Sequence, residues 1–226
     1  MKSADGERWW SYSDILCVVA CIAVLGMSLL SYLETTRVGY QVNTGVFCGL
    51  FVLIPVLLKY FHVVKLPNIF VIAILVAVLL HAYGVLLLSY DLLPYYDTIT
   101  HFLSSTVVAL CVFYTLMCYQ AYGGTCKFEG RGLFIGISLV MMGFSAYWEV
   151  FEMVVDSLTG TTMQYSPFDT LRDMVCNTMG TLVVSSVVTY YMRNKAPLDV
   201  ADSFELHPKL KLFISDPFGE KRQSNE

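Results

Sequence analysis

Nine polar side chains interrupt otherwise apolar stretches, and their types and spacing suit cation binding. They are His81 in LLHAYG, Asp97 and His101 in YYDTITHF, Glu149 and Glu152 in YWEVFEM, and Asp169, Arg172, Asp173 and Asn177 in FDTLRDMVCNTMG. An ionisable group at the centre of a membrane helix costs about 2.5–3.5 kcal/mol on insertion scales, so each requires a reason. Asp97 and His101 are spaced i,i+4, Glu149 and Glu152 i,i+3, and Asp169, Asp173 and Asn177 i,i+4,i+8, so each set shares one helix face. Turned toward one another, these faces gather five carboxylates around Arg172 as the fixed cation. Protonation or a bound cation must relieve their repulsion. A divalent metal does so most directly: mixed oxygen and imidazole donors suit Zn, Mn or Fe, and carboxylates alone suit Mg or Ca. Neither H-E-x-x-H nor the Glu-x-x-His pair of bundle di-iron sites occurs, which leaves the metal's identity open.

The chemistry that follows is metal-dependent hydrolysis or transfer. Asp97, His101, Glu149, Glu152 and Asp173 are the expected ligands of one or two divalent ions that lower the pKa of a bound water. Glu149 is the expected general base, and Arg172 the group that holds charge on a phosphoryl or acyl oxygen. His81, Asp169 and Asn177 support the site. The competing structural reading is a network of ion pairs fixing helix packing, and function is preferred because ionisable residues inside a membrane are functional by default. Asp169 reads more simply as the N-cap of the last helix, His81 as a partner of a backbone carbonyl, and Asp156 as a solvated group. Gly143 and Gly180 read as small residues that let helices approach closely. Seven cysteines, an odd number, with six in apolar runs, read as small buried hydrophobes.

The elements positioning these residues follow from composition. Of 226 residues, 56% are hydrophobic and 14% charged, and mean hydropathy is +0.61. A soluble domain carries about 25% charge, so this chain cannot cover itself with polar surface. Its apolar blocks run to roughly 20 residues, the length a helix needs to cross the hydrocarbon layer. The expected fold is an all-α polytopic bundle of six transmembrane helices, at about 14–32, 44–62, 68–90, 97–118, 132–158 and 169–192. A polar cytoplasmic tail, 193–226, has too little apolar material for a core of its own. The start MKSADGERWWSYSD, with no A-x-A-like site after the first apolar run, reads as an uncleaved first span.

Cations accumulate in cytoplasmic loops. With both termini inside, twelve of the fourteen Lys and Arg fall on the inner side, Arg37 and Arg172 excepted. Trp9, Trp10, Tyr95, Tyr96, Tyr190 and Tyr191 flank span ends as an interfacial belt. Counted from the outer ends, His81, His101, Glu149, Glu152, Asp173 and Asn177 then lie about 6–14 Å deep, in one layer. A net charge of −4 gives no electrostatic footprint for nucleic acid.

The order Asp97-x-x-x-His101-Phe102, Glu149-x-x-Glu152, then Asp169-x-x-x-Asp173-x-x-x-Asn177-x-x-Gly180 resembles the VanZ-like superfamily, and more closely its YjdF-like inner-membrane branch, over roughly residues 68–192. The matching Asp and His in VanZ-like proteins open one span, an acid lies on the next, and an Asp with a following Asn and Gly sits on the last. Ser104 and Ser105 stand where YjdF-like sequences tend to have a glycine after the His. The resemblance implies a small multi-span protein and, through the link of VanZ to teicoplanin resistance, the cell envelope. It implies no reaction, since the YjdF-like branch has no assigned activity.

Together these features predict a multi-pass cell-membrane protein whose partners are the bilayer and an amphipathic or lipid-linked envelope substrate, met from the extracytoplasmic side. Two other classes compete. In a proton- or cation-coupled transporter the same carboxylates carry the ion, but the polar layer is off the midplane, no inverted repeat is evident, and no span reads as broken in its middle. A non-enzymatic envelope or immunity factor would use the cluster structurally.

Overall fold

The computed structural model describes residues 10–33, 39–124, 126–161 and 163–218. Lys2, Arg8, Trp9, Arg37, Lys221 and Arg222, used above for orientation, fall outside them. Five helices are long and apolar enough to cross a membrane: Tyr12–Leu33, Gln41–Tyr60, Asn68–Leu86, Tyr96–Gly123 and Arg131–Thr159. A sixth, Pro167–Tyr191, has 25 residues. It is long enough to span, but its first two turns carry Asp169, Arg172 and Asp173, which makes it less apolar than the others. Apart from one short β pairing, the secondary structure of the described residues is helical.

The chain forms two compact units, and their boundary falls inside one helix, between Thr100 and His101. The first unit holds α1 (Tyr12–Leu33), α2 (Gly39–Phe51), α3 (Ile54–Tyr60), α4 (Asn68–Leu86), the short α5 (Ser89–Leu92) and the first turn of α6 (Tyr96–Cys118). Cys17 and Ala20 of α1 pack with Val52, Val71 and Leu75, and Val24 packs with Cys48, Ala82 and Leu86. Cys17, Cys21, Cys48 and Cys118 are buried thiols, as the apolar runs around them imply. Asp14 pairs with Lys59, joining the start of α1 to the end of α3.

The second span is interrupted between α2 and α3, contrary to the expectation that no span is broken in its middle. Pro55 has no N–H to give the carbonyl of Phe51, and the chain turns through Val52 and Leu53. Val52 at this break is 1% exposed among apolar neighbours. The break is therefore a proline kink within the core. The third span ends at Leu86 rather than near residue 90, because Leu88 adopts a left-handed conformation (φ 57°) that the α-helix cannot continue through. Tyr96, expected in the interfacial belt, is held by contacts within the first unit. Its hydroxyl donates to the Leu80 carbonyl at 2.6 Å, and its ring meets Tyr90 edge-on.

The second unit holds the rest of α6, a π-helical turn Tyr119–Gly123, α7 (Arg131–Thr159), α8 (Pro167–Tyr191), α9 (Pro197–Asp202) and α10 (Pro208–Ser215). The buried stripe of α7 is Leu133, Ile137, Met141, Ser145, Glu149 and Glu152. That of α8 is Asp169, Asp173, Asn177, Gly180, Thr181, Val184, Ser185 and Val188. Each stripe is apolar in one half and polar in the other, and the helices are antiparallel, so like meets like. Leu133, Ile137 and Met141 join Val184, Val188 and Ala109, Val112, Phe113 and Met117 of α6 in a core. The polar halves are buried on the same continuous packing face.

Gly180 lets α8 approach α6 closely. A Cβ there would overlap Ser105 Oγ and come within 2.6 Å of the Phe102 carbonyl oxygen. Gly143 has no such role, because a Cβ there would meet nothing within 4 Å. After residue 192 the chain is folded onto this unit. Val200, Ala201 and Phe204 are buried, and Val200 belongs to the α6–α7–α8 core. Phe204 packs on Tyr114 with ring centroids 4.0 Å apart. A segment too polar for its own core thus borrows one, and Glu205–Leu206 pairs with Val64–Lys65 as a two-residue β bridge.

Candidate metal centre

Four side chains of the polar half carry the geometry. His101, where the second unit begins on α6, places its Nε2 4.0 Å from Asp173 Oδ2 on α8. The two side chains are 11% and 4% exposed. Arg172 Nε lies 3.7 Å from Asp173 Oδ1, and the same guanidinium pairs with Asp169. Asp97 joins along α6 itself: it precedes His101 by one turn, and the helix spacing sets both on one face. One ligand atom each from Asp97, His101 and Asp173 lies within 4.8 Å of the other two.

These distances suit a metal. Donors about 2.1 Å from one ion are separated by about 3.0–4.2 Å: about 3.0 Å when cis and about 4.2 Å when trans in an octahedron, and about 3.4 Å in a tetrahedron. The His101–Asp173 gap falls inside that range. Charge points the same way, because Asp97, Asp169 and Asp173 against Arg172 leave two negative charges while His101 is neutral.

Among the described residues this is the one group of three His, Cys, Asp or Glu side chains with ligand atoms so close. Glu149 and Glu152 are buried on the facing stripe of α7 but are not members of it. Glu152 accepts from Trp148 Nε1 at 2.8 Å. Asn177 Nδ2 donates to Ser145 Oγ at 3.0 Å, which sets α8 against α7 one turn from Asp173. His81 lies in the first unit, where its Nδ1 is 2.9 Å from the Tyr90 hydroxyl.

Asp169 is not the N-cap. The sequence Ser166-Pro167-Phe168-Asp169 places a proline at the first helical position, and Ser166 Oγ accepts from Asp169 N at 3.2 Å. Asp169 instead reaches back to accept from Tyr165 N at 3.2 Å. Asp156, read from the sequence as solvated, organises the loop before α8. Its carboxylate accepts from Thr161 Oγ1, Met163 N and Gln164 N at 2.7–2.9 Å. Gln164 in turn donates from Nε2 to the Glu149 carbonyl at 2.8 Å, so the loop is anchored on the turn that carries Glu149. The only sequence sign of this was an acid shortly before Gly160, the left-handed residue ending α7.

A family profile matches residues 15–194 and therefore covers all four polar segments and, apart from the first three residues of α1, every candidate span. The chain belongs to the DUF2238 family of predicted membrane proteins. Membership covers both compact units and supports reading the apolar helices as transmembrane. No curated protein and no solved structure matches the chain. DUF2238 membership assigns no reaction, so the functional argument rests on the cluster.

Proposed function

We propose that this DUF2238 protein is a metal-dependent hydrolase or transferase of the cell envelope, with a divalent cation held by Asp97, His101 and Asp173. The observation that carries the reading is the convergence of one ligand atom from each of these residues within 4.8 Å. A bound divalent ion supplies Lewis acidity at that point. Glu149, one turn from Ser145 toward the same end as Asp173, takes up a proton as general base, and Glu152 completes the acidic set. Arg172 pairs with Asp169 and lies near Asp173, it is 39% exposed, and its planar guanidinium suits a phosphoryl or acyl oxygen.

In this reading α8 is the sixth span and both termini are cytoplasmic. Lys127, Arg131, Arg193 and Lys195 cluster at one end of the antiparallel α7–α8 pair and Asp173 lies toward the other, which favours a site opening extracytoplasmically. The similarity of the motif order to VanZ-like proteins favours a lipid-linked or amphipathic envelope substrate. The test is metal depletion and add-back on the full chain in detergent. The expected result is about one divalent ion per chain and a thermal transition that rises on add-back. Absence of bound metal, together with a transition unmoved by Zn, Mn, Fe, Mg or Ca, overturns the proposal, and proton or cation flux in liposomes abolished by Glu149→Gln would replace it with a transporter.

A further inference from the structure

At the opposite end of the α7–α8 pair lies a cleft that the metal centre does not use. Its volume is about 310 Å³, and it is lined by Gly130, Arg131 and Phe134 at the start of α7 and by Ser186, Thr189, Tyr190 and Arg193 at the end of α8. Both arginines are exposed, and neither is paired with a carboxylate among the described residues. No side chain caps the first turn of α7, whose N-cap is Gly130, so its backbone N–H groups add positive potential at the cleft. The Thr189 hydroxyl oxygen is shielded from solvent with no hydrogen-bond partner. An oxyanion would satisfy it. The floor is apolar, from Phe134 and the ring of Tyr190, over which Arg193 is held at 5.1 Å. Tyr190 and Tyr191 are themselves exposed, as aromatic residues at the head-group level of a bilayer are.

We infer that this cleft binds the phosphodiester of an anionic phospholipid, with the phosphate between Arg131 and Arg193 and the glyceride against Phe134 and Tyr190. Guanidinium forks suit phosphate oxygens better than ammonium groups do. The mixture of cationic rim and apolar floor suits a lipid better than a free anion. Lys127 and Lys195 flank the cleft without lining it and raise the local concentration of anionic lipid.

The test measures lipid retention by native mass spectrometry on the full chain in neutral detergent, titrated with phosphatidylglycerol, phosphatidylcholine or inorganic phosphate. Retention of phosphatidylglycerol over phosphatidylcholine is expected, with affinity falling at least about tenfold in the double variant R131Q/R193Q and remaining within about twofold in K127Q. The variant R131K/R193K keeps the charge, so its fold is preserved if the glutamines unfold the chain, and it should still lose several-fold through loss of the bidentate fork. Equal retention in the wild type and R131K/R193K, or a loss in K127Q as large as in R131Q/R193Q, overturns the site in favour of diffuse surface charge. Displacement of the lipid by millimolar inorganic phosphate overturns the lipid assignment and makes the cleft a phosphate site.

Discussion

Asn177 on α8 donates its side-chain N–H to Ser145 on α7 at 3.0 Å, both residues being buried, and this bond sets the register in which the polar halves of the two helices meet. One turn beyond it on each helix are Glu149 and Asp173. Interhelical hydrogen bonds inside a membrane average about 0.6 kcal/mol and reach about 1.7. A double-mutant cycle between Ser145→Ala and Asn177→Ala should give a coupling in that range, and no coupling would mean that register is set elsewhere.

Asp97→Asn removes one charged donor from the three-residue group and leaves its size unchanged. Divalent affinity should fall about tenfold to a hundredfold, the scale seen even for groups that only support a metal ligand. Metal titration followed by the thermal transition reads this. An unchanged affinity would exclude Asp97 from the site.

Gly180→Ala should lower stability by about 1–3 kcal/mol, because the new methyl group meets the Phe102 carbonyl, which is backbone and cannot rotate away. Gly143→Ala should be neutral or slightly stabilising, since its site is open and alanine is the better helix former. Unfolding the two variants side by side in detergent checks the contrast.

Removing the Asp156 carboxylate should free the loop ahead of α8. Asp156→Ala leaves Met163 N and Gln164 N without their acceptor, at a cost of about 1–3 kcal/mol if they are not reached by water. Hydrogen exchange at residues 163–165 should accelerate while that of α6 stays unchanged.

The docked tail should respond to pH through Asp202. The Tyr122 hydroxyl donates to Asp202 Oδ1 at 2.7 Å and Lys211 lies 3.3 Å from the same oxygen, and these hold the carboxyl below its ordinary 3.8. A depressed folded value means that the contribution is present above the ordinary carboxylate value and is lost as pH falls through the depressed one. Lys211 is raised above 10.5, chiefly by Tyr122, so its contribution is lost only as pH rises through that higher value. Tail protection against proteolysis should therefore be flat from about pH 5 to 9 and weaken below about pH 4. Asp202→Asn should remove the acid dependence, and Phe204→Ala should release the tail at every pH.

The membrane class, the places of the long helices and the polar residues worth attention were legible in the sequence, because hydropathy and helical spacing are local properties. Asp97 and His101 one turn apart, or Asp169, Asp173 and Asn177 on one face, follow from 3.6 residues per turn alone. Which faces meet does not follow, since that depends on the antiparallel register of α7 and α8 and on how near Gly180 lets α6 come. Those contacts brought His101 to Asp173 and left Glu149 and Glu152 outside the closest group. Asp156 and Asp169 were misread because their partners lie in an irregular loop, where backbone groups take whatever acceptor the fold presents. The tail lacks the apolar material for a core of its own, and the bundle supplies one through Tyr114 and an apolar seat for Val200. A sequence determines which side chains can share a helix face, but only tertiary packing decides which face another helix presents to them.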